Sequence, residues 1–225
     1  MTERPGARLA RRPLHFFLLL DCSGSMASRG KMTALNTAVR EVLPHLAETS
    51  YGNPHAEVSV RVVAFSTGAH WHVEAPTHPD ELVWRDLEAG GYTDLGAAID
   101  LLGTALTVPP MEDRALPPAV VLVSDGMPTD DFESAMARLL TLPWGARAVR
   151  MAVAIGQDAD YGTLAAFIAD PALEPVTASN PEQLLMALRW ATVHVARAAS
   201  SLAPAAPPPV HVTAWSADSG EETVW

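Results

Sequence analysis

Large apolar residues run from Leu14 to Leu20, broken only by His15, and stop at Asp21-Cys22-Ser23-Gly24-Ser25. Such a run, closed by a polar, glycine-containing turn, predicts a buried parallel strand entering a loop. The period then changes. Met32, Leu35, Val39, Val42 and Leu46 recur at steps of three and four, the spacing of one buried helical face, with Pro44 expected to kink or finish the helix. Val58 to Phe65 is β-branched and alternating, which predicts a strand, and His70 to Val73 predicts a short strand paired with it across Ser66-Thr67-Gly68. Pro79 to Leu87 reads as a brief helix or turn, and Leu95 to Leu106 as a helix with Leu95, Ile99, Leu102 and Leu106 on one face. A strand from Ala119 to Val123 leads into Ser124-Asp125-Gly126, and a helix capped by Asp130 or Asp131 runs through Leu140. A strand over Val149 to Ile155, a short helix over Tyr161 to Ile168, a last strand over Glu174 to Thr177 and a long helix over Pro181 to Ala199 complete the pattern.

Strands alternating with helices predict an α/β fold, a mainly parallel sheet covered on both faces. In such sheets ligands gather beyond the carboxyl ends of the strands, where strand order reverses. Asp21 and Asp125 both fall at strand ends, and Thr93, in Gly90-Gly91-Tyr92-Thr93-Asp94, precedes a helix. Asp21, Ser23 and Ser25 alternate along their turn, so one carboxylate and two hydroxyls can converge on a small volume. That donor set suits a hard divalent cation such as Mg²⁺.

The 225 residues are 48% hydrophobic and 18% charged, enough for one sizeable core. The net charge of −11 makes nucleic acid and anionic membrane surfaces poor partners. A single cysteine, Cys22, excludes an intramolecular disulfide framework and reads as a small buried apolar residue. Arg11-Arg12 before the first apolar run superficially resembles an export signal, but the run is short and no small-residue cleavage site follows. No run approaches the roughly 20 apolar residues of a membrane span, so the expected location is cytoplasmic. Residues 1–12 read as a flexible basic tail, 13–201 as the folded domain, and 202–225 as a proline-rich linker and short tail, in which 210–215 offer a further strand or docking segment.

Asp21-x-Ser23-x-Ser25 with Thr93 and Asp125 resembles the metal-ion-dependent adhesion site (MIDAS) of von Willebrand factor type A (VWA) domains. The strings Leu18 to Met26, Gly90 to Ala98 and Ser124 to Asp131, with Arg189 to Val193 and Ala198 to Ser201, resemble bacterial TerY-type proteins of tellurium-resistance and chemical-stress gene clusters. The resemblance implies a Rossmann-like domain holding one Mg²⁺, Mn²⁺ or Ca²⁺ at the upper edge of the sheet. It implies Ser23, Ser25 and Thr93 as direct ligands, with Asp21 and Asp125 direct or behind them. It further implies a protein partner that supplies an acidic residue to the metal, and a protein kinase and phosphatase as associates. Tyr92 departs from the Gly-Gly-Thr of many relatives and makes Asp94 the substitute ligand to watch.

The competing expectation is a Mg²⁺-dependent phosphohydrolase on a similar sheet. Such enzymes need a second aspartate two residues after the first, where this chain has Ser23. Lys31, the only lysine, is not expected near the phosphate position. Without a nucleophile and base arrangement, the expectation is a non-enzymatic binding module. His70 and His72 share a strand face but lack a third ligand for a second metal.

Overall fold

The computed structural model describes residues 11–157 and 159–200. The tail readings for 1–10 and 201–225 lie outside the described residues. Six strands form one sheet: β1 (Arg12–Asp21), β2 (Ala56–Ser66), β3 (Gly68–Thr77), β4 (Ala119–Ser124), β5 (Val149–Ile155) and β6 (Val176–Ala178). Their order is β3-β2-β1-β4-β5-β6; β3 is antiparallel to β2 and every other pair is parallel. The helices are α1 (Lys31–Gly52), α2 (Leu95–Ala105), α3 (Phe132–Thr141), α4 (Pro143–Arg147), α5 (Tyr161–Ile168) and α6 (Pro181–Ser200). α1 and α6 pack together on one face, while α2 packs on α3 across the other.

The central strands are those with the most continuous apolar runs, because both of their faces are covered. From Leu14 to Asp21 every residue of β1 is buried, as is all of β4, whereas edge strand β3 is half-exposed throughout. The polar interruption of β1, His15, stays buried by engaging Glu112 through Nε2 at 2.7 Å. Arg12, read with the tail, is the first residue of β1 and donates to the Arg114 and Ala115 carbonyls.

Local readings change or sharpen at three places. Pro44 neither kinks nor ends α1, which continues to Gly52. Pro44 lies on the exposed side of the helix, so the carbonyl that loses its N–H partner faces water. Of the brief helix or turn read over Pro79 to Leu87, the turn is found at 79–81, and the rest carries no regular structure. Its backbone is pinned from α1: buried Asn36 donates to the Leu87 carbonyl at 2.9 Å and accepts from Leu87 N at 2.8 Å and Trp84 Nε1 at 3.1 Å. Finally, a 3-10 helix over Gly24–Gly30 precedes α1, separated from it by left-handed backbone at Arg29 (φ 52°) and Gly30 (φ 75°).

Candidate metal centre

The chain turns from β1 leftward to β2 and then crosses back to β4 on the other side of β1, so strand order reverses between β1 and β4. Asp21 ends β1 and Asp125 follows β4, so both lie at the carboxyl ends of the strands between which the order reverses, where ligands of such sheets gather. Asp21 is fully buried; its Oδ1 accepts from Ser23 N at 2.8 Å and its Oδ2 from Ser124 Oγ at 2.5 Å. Burial pushes the Asp21 carboxyl up, hydrogen bonds from Ser124 and Ser23 pull it back, and the Asp125 charge adds to the rise. Ser23 Oγ lies 2.9 Å from Ser25 Oγ, and Ser25 Oγ donates to Asp125 Oδ1 at 2.6 Å.

Thr93 reaches the same place through its loop. Gly90 N donates to the Cys22 carbonyl at 2.7 Å and Gly24 N to the Gly91 carbonyl at 3.1 Å, so the two loops are laced backbone to backbone. A Cβ built on Gly126 would stand 3.6 Å from Thr93 Oγ1 and 3.9 Å from Ser25 Oγ, which places both hydroxyls around the same glycine. The structure therefore brings Asp21, Ser23, Ser25, Thr93 and Asp125 together. The extra residue Tyr92 is absorbed as an exposed side chain.

Asp94 is not a substitute ligand. It accepts from Gly68 N and Thr129 Oγ1, both at 2.7 Å, and so ties the loop to β3 and to the stretch after β4. Asp130 caps α2 rather than α3, accepting from Gly96 N and Ala97 N at 2.8 Å each, while Asp131 caps α3 through Ser134 N. His72 is occupied by the Arg85 carbonyl and packs at a tilt against the Trp84 ring.

Residues 16–127 match the family model for the von Willebrand factor type A domain. The fold is that of a VWA domain. Similar solved structures include a von Willebrand factor type A protein from Catenulispora acidiphila (19% identity, TM-score 0.59, covering 81% of this chain and 42% of that one). Another is the ArnB paralog VWA2 from Sulfolobus acidocaldarius (17%, 0.59, 80% and 45%). A third is proximal thread matrix protein 1 from the mussel byssus with a zinc-occupied MIDAS motif (18%, 0.61, 81% and 48%). At these identities the likeness is one of fold, and the chain spans less than half the length of each. No curated protein matches the sequence.

In this VWA domain the residue that sequence reasoning missed is Lys31. Its Nζ donates to Asp125 Oδ2 at 2.6 Å, with the Asp125 side chain fully buried. The expectation that no lysine stands near the site is thus corrected. Periodicity across residues 24–31 gives no sign of the left-handed break that starts α1 beside Asp125. Ser124, which anchors Asp21, was legible only as part of a turn.

The donor set fits a hard cation. The Ser23 and Ser25 hydroxyls lie side by side, hydrogen-bonded at 2.9 Å, and hard cations such as Mg²⁺ take oxygen ligands of this kind. Among the described residues no group of three or more His, Cys, Asp or Glu side chains is placed to hold a metal ion. Asp21 has both oxygens engaged by donors, which suits it to orient Ser23 and Ser124 from behind.

Proposed function

We propose that this chain is a non-enzymatic interaction module whose Ser23, Ser25 and Thr93 hold a divalent cation, Mg²⁺ before Mn²⁺ or Ca²⁺, onto which a protein partner places an acidic side chain. The observation that carries the reading is the convergence of three hydroxyls and two carboxylates at the β1/β4 switch point, with the Ser23 and Ser25 hydroxyls adjacent and Ser25 held by Asp125. The zinc-occupied MIDAS motif of one structural neighbour supports a divalent ion at this edge of the fold. Bound there, the cation supplies uncompensated positive charge, because neutral hydroxyls do not quench it. Asp21 holds the first loop through Ser23 N and the β4 end through Ser124, while Asp125 orients Ser25. The −11 net charge opposes an acidic partner at distance, so recognition acts at contact.

The TerY-like strings support a setting in a bacterial tellurium-resistance or chemical-stress complex in the cytoplasm, with a kinase and a phosphatase as partners. No helix among the described residues is long and apolar enough to cross a membrane. Calorimetric titration of Mg²⁺ and Mn²⁺, with and without a small carboxylate, tests the metal reading. One ion per chain is expected in the wild type and none in Asp21→Ala; equal binding by both would defeat it. Loss of partner binding in EDTA tests the interaction.

Lys31 is the observation that favours the phosphohydrolase reading, since it brings an ammonium to the site. Against it, that ammonium is spent on Asp125, and Asp21 is fully buried with both oxygens accepting hydrogen bonds, a poor nucleophile. Turnover of a simple phosphate ester, lost in Asp21→Asn, would reinstate the enzyme.

A further inference from the structure

We propose that Lys31 is a tethered cation that holds Asp125 while the site is free of metal, and that a divalent ion must displace it to bind. The inference rests on the metal reading above and adds a built-in competitor to it.

Lys31 is 9% exposed, and its Nζ lies 2.6 Å from Asp125 Oδ2. The other oxygen of the same carboxylate accepts from Ser25 Oγ at 2.6 Å. One buried carboxylate therefore bridges the ammonium and a candidate ligand hydroxyl. Lysine is rarely buried, because desolvating its charge is costly without a partner. Its choice here is specific: every other one of the fifteen Lys and Arg residues is arginine. An ammonium is a compact point charge with three donors, closer in shape to a metal ion than a planar guanidinium, and its four-carbon stem can withdraw.

Two cations cannot share Asp125 without mutual repulsion, and salt screens a buried pair weakly. Lys31 on Oδ2 and an ion held beside Ser25 draw on the negative charge of one carboxylate, whose Oδ1 orients that ligand hydroxyl. In the metal-free protein Lys31 spares the fold an uncompensated buried carboxylate. The same contact lowers metal affinity, since it must be broken before the ion is held. An added carboxylate on the far side of the ion, as a partner would provide, tips that competition toward the metal.

The experiment is Mn²⁺ titration by calorimetry into the full chain, as wild type, Lys31→Met, Lys31→Gln and Asp21→Ala, with melting in EDTA alongside. Lys31→Gln retains a hydrogen-bond donor for Asp125 without the charge and guards against misfolding of the Met variant. Both Lys31 variants are expected to bind Mn²⁺ about ten-fold more tightly than wild type, or about 1.4 kcal/mol. They are also expected to melt lower than wild type in EDTA, with the gap closing once Mn²⁺ saturates them. Mn²⁺ affinity that is unchanged or weaker in both Lys31 variants overturns the competitor while leaving the metal site standing. Absence of Mn²⁺ binding in wild type and variants alike overturns the metal reading itself, and the competitor with it.

Discussion

At Gly91 the backbone has φ +81°, and a Cβ there would stand 2.6 Å from Thr67 Oγ1 and 3.1 Å from Thr67 N. The Gly91 carbonyl accepts from Gly24 N, so this one residue fixes the distance between the loop bearing Thr93 and the loop bearing Ser23 and Ser25. Gly91→Ala is expected to cost about 1–3 kcal/mol through strain and steric conflict, measured as a lower denaturant midpoint, and to weaken Mn²⁺ binding as Thr93 shifts. Unchanged stability and affinity would show that the loop relaxes without moving its threonine. Cys22, between ligand positions, is inert by comparison: burial and the neighbouring Asp21 charge push its thiol up to about 12.

Among the elements, the non-helical segment between β3 and α2 depends on α1 through one side chain. Asn36 satisfies both the N–H and the C=O of Leu87 as well as the Trp84 indole. Asn36→Ala leaves those buried groups without partners, at a cost of about 1–3 kcal/mol for each group that water does not reach. The expected signature is faster amide exchange at Leu87 and its neighbours, with β1 and β4 unaffected; retained Leu87 protection would contradict the anchoring role. The same segment ends in Gly90 and Gly91, so this anchor also sets the approach of Thr93. Asp130 acts similarly at a junction, joining the stretch after β4 to the amino end of α2.

For the whole molecule, the reversal of strand order around β1 brings three loops that lie far apart in sequence to one edge, and the proposed ion would link them. An ion that binds only the folded chain stabilises it by mass action. Mg²⁺ at about a hundred times its dissociation constant is expected to add about 2.7 kcal/mol, a rise in Tm of roughly 5–10 °C for a domain of this size. The shift should vanish in Asp21→Ala. Superimposable wild-type melts in Mg²⁺ and EDTA at concentrations that saturate the calorimetric signal would contradict the linkage.

Residue pattern alone determined the α/β class and the strand-ending positions of Asp21 and Asp125, while the grouping of Ser23, Ser25 and Thr93 with them rested also on a family resemblance. Those features are local: continuous apolar runs mark two-sided burial, and polar turns mark where the runs end. The buried face of α1 from Met32 to Leu46 was legible for the same reason, although the helix's length past Pro44 depended on which side of it meets water. Tertiary structure alone decided the rest. The end of the segment 79–87 is pinned by a side chain some fifty positions earlier, Asp94 is claimed by β3 and by the stretch after β4, and Asp130 caps a helix that precedes it. Lys31 was beyond reach for the same physical reason. Its partner Asp125 lies ninety-four residues away, and only the reversal of strand order together with the left-handed turn at Arg29 and Gly30 brings the ammonium onto the carboxylate.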